Sequence, residues 1–295
     1  MLGNGFLPMF APGGAAANAW TGATWATSGG NAYNTPTLGS ELLTNGGFTS
    51  DTIWTKETGW TIAAGIASHV GATSGLYQVA NTSGFWYQNS FDVVSYDSGN
   101  VYAIFGGISA GANRTAVGTY LQTGRAAGVG AGCGASGTAS VDNISEKQIT
   151  LSALFATITG ASSSQTAAAK IATLTTSIQS GVVALLDSAS NPQNFLIAYH
   201  NGTSVLLDKC VAGTYTNLIT TTVAFTANAQ IEIRRPSGNL FQLWYNGVQR
   251  GTDQTVADAS IISNTRYGLF STHSGGTFSE FSLGGVVIPF NLPGA

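Results

Sequence analysis

The chain is predicted to be all-β, with two antiparallel sandwiches following an extended, largely irregular N-terminal arm. Three observations carry this. The run IEIRRPSGNLFQLWYNGVQRGTDQT, from Ile231 to Thr255, alternates apolar and polar residues with a period of two, the signature of strands with one wet face. From Leu38 onward, short runs of β-branched and aromatic residues recur between Gly, Ser and Asn turns. Charged residues make up only 8% of the 295, against about 25% in ordinary globular proteins. Polarity comes instead from Ser, Thr, Asn, Gln and 39 Gly, as in rigid β-proteins exposed to the outside world.

Residues 1–37 form the arm. They hold Gly, Ala, Asn, Thr and Pro, with Phe6, Phe10, Trp20, Trp25 and Tyr33 spaced among them. Disordered tails are poor in aromatics, so the arm is expected to dock. Two modes stand open: an anchor along a neighbouring subunit, with Phe6, Phe10, Trp20 and Trp25 as hydrophobic plugs, or an irregular strap over its own domain.

Residues 38–147 form the first sandwich. Asn45-Gly46-Gly47-Phe48, Gly59-Trp60 and Asp142-Asn143-Ile144-Ser145 follow one another over about a hundred residues. The segment resembles the galactose-binding-like jelly rolls of carbohydrate-binding modules, in which an opening N-G-F, a G-W strand and a closing D-N-V-S hold these places. The resemblance implies a structural calcium, with Asp142 at the closing ligand position. Thr49 stands where the opening acid would be, which removes a hard oxygen ligand, so no cofactor is expected.

Between Leu151 and Ser180 the chain is rich in Ala, Ser and Thr. Ala favours a helical turn and Thr with Ile an edge strand; the segment reads as a linker and then an entry strand. Residues 148–290 form the second sandwich. Ile231 and Ile233 alternate with Glu232 and Arg234, and Pro236-Ser237-Gly238 turns the chain. The return strand puts Phe241, Leu243 and Tyr245 on one face and Leu240, Gln242 and Trp244 on the other, and Asn246-Gly247 closes a two-residue hairpin. With GVVALLDSASNPQNFLIAYHNG, VLLDKCVAGTYTNL, RYGLFST and FSEFSLGG, this half resembles the concanavalin-like (laminin-G-like) jelly-roll family. Both halves are thus expected to be jelly rolls, with residues 291–295 as a tail.

Concanavalin-like glycosidases present two or three carboxylates on one strand face, about 5 Å apart in the retaining case. The best strand here offers only Glu232 beside Arg234, which reads as a surface ion pair, while Asp187, Asp208, Asp253, Asp258 and Glu280 sit singly. His69, His200 and His273 lack metal-ligand neighbours at short spacing. No enzyme is expected. Glycan binding asks for less: an aromatic face for a sugar ring and a few amides for its hydroxyls. The candidates are Trp86 with Gln88, Trp244 with Gln242, and Trp60.

A net charge of −3 argues against a nucleic-acid partner, which needs clustered cations. No apolar run reaches the roughly 18 residues of a membrane span, and the start lacks a basic, apolar export signal. Cys133 and Cys210 read as two separate thiols or as one bridge between domains. An exterior composition without an export signal points to a virion: a non-enzymatic decoration, head-fibre or tail-associated subunit of a tailed bacteriophage. It would be made in the host cytoplasm, touch capsid or tail proteins and further copies of itself, and meet cell-surface glycans weakly. The alternative is a secreted bacterial carbohydrate-binding protein or a glycosidase accessory module.

Overall fold

The structure, a computed structural model, describes residues 19–107, 111–175 and 177–294. Their regular structure is almost entirely antiparallel strand, apart from a 3-10 turn at Leu151–Leu154 and a helical turn at Ala259–Ile262. The all-β expectation holds.

The second sandwich stacks two sheets. One runs in space as Phe155–Thr159, Arg266–Ser271, Ser180–Leu186, Phe195–His200, Ser204–Val211 and Thr214–Thr222. The other runs as Trp25–Ser28, Asn31–Asn34, Gly276–Leu283, Ala167–Leu174, Ala229–Ser237, Leu240–Tyr245 and Val248–Thr255. Its hairpin matches the alternation in the sequence: Ile231 pairs with Tyr245 and Ile233 with Leu243, and all four are buried. Asn246 and Gly247 both take positive φ, 51° and 73°, as a two-residue turn of matching twist requires.

Two expectations change here. Ala167–Leu174 is an inner strand, between Gly276–Leu283 and Ala229–Ser237, because the buried Ala167, Ala168 and Ala169 let neighbours close over both faces. Residues 19–36 belong to the second sandwich. Trp20 donates its indole N–H to the Pro289 carbonyl at 2.9 Å and packs on Phe281. Trp25, fully buried, lies against Phe278, and Asn31–Asn34 pairs with Gly276–Leu283. The arm is therefore a strap over its own domain for its described part, and Trp20 and Trp25 are core residues of this chain, out of reach of a neighbouring subunit. Phe6 and Phe10 lie outside the described residues. At the far end, Leu292 is buried and Gly294 N–H reaches the Trp25 carbonyl, so residues 291–294 pack on the strap.

The first sandwich is inserted between Asn31–Asn34 and Leu151–Leu154 of the second. It is organised by one 20-residue strand, Gly130–Ile149. Ile66–Val79 lies along one side of that strand, and Asn100–Phe105 and then Trp86–Tyr96 lie along the other. Bulges between Ala135 and Gly137 and between Asp142 and Ser145 bend it, since an extra residue on one side kinks a ladder. Leu76, Phe91, Val101, Phe105, Cys133 and Val141 fill the interior. Entry and exit are neighbours: Leu38 pairs with Ile149, and Thr150 N–H meets the Thr37 carbonyl.

The two sandwiches share a third core. Every residue of Ser180–Leu186 and Phe195–His200 is buried. Val182 and Leu196 face the second sandwich's interior, whereas Val183, Phe195 and Ile197 face the first sandwich together with Trp86 and Ile149. Runs such as GVVALL and FLIAY are what cover on both faces demands of a strand.

Candidate functional site

The five residues expected to meet glycan part company in the structure. Trp60 is core: it is 5% exposed and packs at a tilt against His69. Trp86 is 2% exposed and closes the seam between the sandwiches, with its ring against Phe270, Tyr199 and Tyr215 and its N–H donating to Tyr215 Oη at 3.2 Å. Gln88, two residues along the same strand and partly buried, points to the same side. The signal that marks an exposed aromatic, alternation with an amide on an outer face, is correct about the face. A second sandwich covers it.

Beside Trp86, Arg125 lies 4.2 Å over the Tyr215 ring and 3.1 Å from Asp208, which is wholly buried. The ion pair is close but poorly aligned, leaving Arg125 Nη1 without a hydrogen bond. Asp208 also accepts from Tyr199 Oη at 3.0 Å and Asn217 Nδ2 at 2.7 Å. Burial, then the Asp208 charge, pushes the Tyr199 phenol well up. This cluster joins the two sandwiches, because the buried Asp208 of the second has its charge partner, Arg125, in the first.

Trp244 and Gln242 do come together, on the outer face of the second sandwich. Leu240–Tyr245 buries Phe241, Leu243 and Tyr245 and turns the other residues outward. Trp244 Nε1 donates to Gln242 Oε1 at 2.9 Å, and Gln242 Nε2 donates to Asp253 Oδ1 at 2.9 Å. Gln249, cross-strand from Trp244, donates to the same Asp253 oxygen at 2.8 Å. On the other flank the Arg234 guanidinium lies 3.8 Å over the indole and grips Glu232 through two hydrogen bonds, 2.8 and 3.0 Å. Glu232 is thus 6% exposed, a correction to the surface pair expected from its alternation. It sits low on the face, between Ala168 and Trp244 in register, with Arg234 as its lid. The result is one connected strip of acid, cation, indole, amide and acid, in which each side chain is oriented by the next.

Sequence reasoning missed the Gln249 and Asp253 half of the strip. The signal was present, because a two-residue Asn246-Gly247 turn places Gln249 opposite Trp244. Asp142, which the resemblance puts at the closing ligand position of a calcium site lacking its opening acid, accepts the Asn143 N–H at 2.7 Å, and no His, Cys, Asp and Glu cluster suited to a metal occurs among the described residues.

No known family matches the chain, and no curated protein matches its sequence. Among solved structures, it is similar to the GH43 BlXynB protein from Bacillus licheniformis at 16% identity and a TM-score of 0.36, over 46% of this chain and 29% of that one. Sheep galectin-11, solved in complex with glycerol, aligns at 7% identity and a TM-score of 0.30, over 40% of this chain and 88% of that one. The carbohydrate-binding module CBM66 from Bacillus subtilis aligns at 12% identity and a TM-score of 0.29, over 79% and 95%. The chain therefore spans under a third of the Bacillus licheniformis protein, and at these scores no residue of this chain is matched to a residue of those.

Proposed function

We propose that the chain is a non-catalytic glycan-binding display protein that meets sugar at the Trp244 strip. The observation that carries this is the connected arrangement of Trp244, Gln242, Asp253 and Gln249 on an outward sheet face. A sugar asks for an apolar ring to lie on and for oriented donors and acceptors around it. Pre-ordered amides lose little freedom on binding, which favours selective contact. A non-catalytic role is supported by the state of the two acids. Glu232 is held by both Arg234 donors and Asp253 by two amides, whereas hydrolysis needs a facing pair with one carboxyl free to give its proton.

The test is a glycan array with the wild-type chain and Trp244→Ala. A selective signal lost in the variant, with unchanged far-UV circular dichroism, supports the reading; an array silent for the wild type ends it. Display on a tailed-phage particle is proposed on composition alone, and the burial of Trp20 and Trp25 leaves it without two of its expected plugs. Mass spectrometry of purified particles decides that setting: absence of the chain would leave the secreted carbohydrate-binding alternative.

A further inference from the structure

A second pocket lies on the first sandwich and shares no residue with the Trp244 strip. Strand register builds it. Tyr77, Gly132 and Ile104 stand side by side across three strands, as do Gly75, Gly134 and Tyr102. The intervening residues Leu76, Cys133 and Ala103 point into the core. On this outer face the central strand therefore offers only glycine, at 130, 132 and 134. The trough deepens into a cavity of about 230 Å³, walled by Glu57, Tyr77, Ile104 and Val129 over Gly75 and Gly130.

Two of the three glycines are demanded by the fold. A Cβ on Gly134 would fall 2.2 Å from the Tyr102 ring, and one on Gly132 2.3 Å from the Leu76 carbonyl oxygen. Gly130 is different. Its Cβ would meet nothing closer than 3.6 Å, ordinary contact with Ile104 and Tyr77, and its φ is not in the left-handed region. Gly130 opens its strand, and neither close contact nor a left-handed φ demands glycine there, so the open floor has no explanation in the chain's own packing.

Glu57 on the pocket wall, and Tyr102 beside the pocket but outside its lining, are incompletely bonded. Tyr102 is 3% exposed, yet its hydroxyl has no hydrogen-bond partner. Its ring lies across Gly134, which carries the hydroxyl toward the Gly75 strand. There Glu57 Oε2 accepts the Gly75 N–H at 2.6 Å, and among the described residues no donor reaches its other oxygen. Burial, then the nearby Glu57 charge, raises the Tyr102 phenol, which keeps it a donor. The free Glu57 oxygen on the pocket wall invites a ligand that donates a hydrogen bond.

We propose that this pocket binds one neutral pyranose ring, its apolar face on Tyr77 above Gly130 and a hydroxyl donating to Glu57. The volume falls below the roughly 300–1,000 Å³ of sites for larger ligands, which suits a single ring. The ligand class rests on the glycan reading above, while the site stands on its own geometry. Two contacts on separate sandwiches of one chain would let it bind a dense glycan surface bivalently.

Saturation-transfer NMR with free glucose, galactose, mannose, xylose and N-acetylglucosamine tests the pocket on the full chain. At least one sugar is expected to show transfer that persists in Trp244→Ala and falls at least about tenfold in affinity in Gly130→Ala and Tyr77→Ala, since loss of a good contact is worth about that factor. Gly130→Ala is expected to melt at or above the wild-type temperature, which separates a filled floor from a broken fold. Silence with all five sugars, transfer unchanged in Gly130→Ala, or a lowered melting temperature in that variant overturns the proposal. An array signal lost in Trp244→Ala beside silent monosaccharides removes the pocket and keeps the Trp244 reading; the opposite pattern removes the Trp244 reading and keeps the pocket.

Discussion

Replacing Trp86 with alanine asks whether this residue ties the sandwiches together or meets a ligand. The indole is 2% exposed, with ring centroids of Phe270 and Tyr199 at 5.3 and 5.9 Å and a hydrogen bond to Tyr215. A buried Trp hides about 200 Å², worth about 5 kcal/mol at about 25 cal/mol per Å², near the top of the roughly 3–5 kcal/mol seen for Trp→Ala in cores. Among the described residues, Trp86 is the one aromatic of the first sandwich in the core that the two sandwiches share. For a chain of this size about 2 °C per kcal/mol gives a melting temperature lowered by about 10 °C. Differential scanning calorimetry should show that drop, with the single wild-type transition broadened or split as the two bodies uncouple. Glycan-array binding at Trp244 should survive below the transition. A drop of less than about 2 °C, under one kcal/mol for this length, together with lost sugar binding would mean that Trp86 faces ligand and that the seam opens in solution.

Glu146 is wholly buried, and burial outweighs the amide hydrogen bonds from Asn89 and Asn81, lifting its carboxyl to about 8. A folded-state value above the unfolded one means that the protonated form stabilises the fold, fully below the unfolded value and less as pH rises through 8. Stability should therefore fall from about pH 5 to about pH 9 by on the order of a few kcal/mol, and Glu146→Gln should flatten that profile. A wild-type melting temperature independent of pH across this window would contradict the burial argument. Cys133 and Cys210 are unpaired and buried, one in each sandwich's packing. Burial pushes the Cys133 thiol well up and Cys210 to about 12, so a thiol reagent should label neither in the native chain and both after unfolding. Rapid native labelling, or no free thiol after unfolding, would refute this.

How legible the molecule is in its sequence depends on the distance over which each signal acts. Ile231 to Thr255 could be read nearly to the register, because alternation and the Asn246-Gly247 turn are both local. Trp86 and Gln88 could be read to the correct face but not to their neighbours: the same alternation describes a strand facing water and one facing another domain. Glu232 failed for a related reason, since its burial comes from Arg234 folding over it. In the arm, the spacing of Trp20 and Trp25 announced docking, while the partners Phe281 and Phe278 lie at the far end of the described chain. Gly130 looked like one glycine among many, and only the space around its missing Cβ sets it apart from Gly132 and Gly134 beside it.

The insertion of one sandwich within the other imposes an order of events during synthesis. All the strands of the first sandwich, from Leu38–Glu41 to Gly130–Ile149, are contiguous, so it can close while the remainder is still being translated. The second cannot. Asn34 hydrogen-bonds the Ser271 carbonyl, 237 residues later, and Asn31–Asn34 waits as an open edge for Gly276–Leu283. Such non-local pairing is slow, and an unpaired edge invites a wrong strand in the meantime. The Leu38 to Ile149 pairing at the base of the insertion shortens that search, because a folded first sandwich already holds Thr37 beside Thr150 and so delivers the strap to the site where its sheet will form.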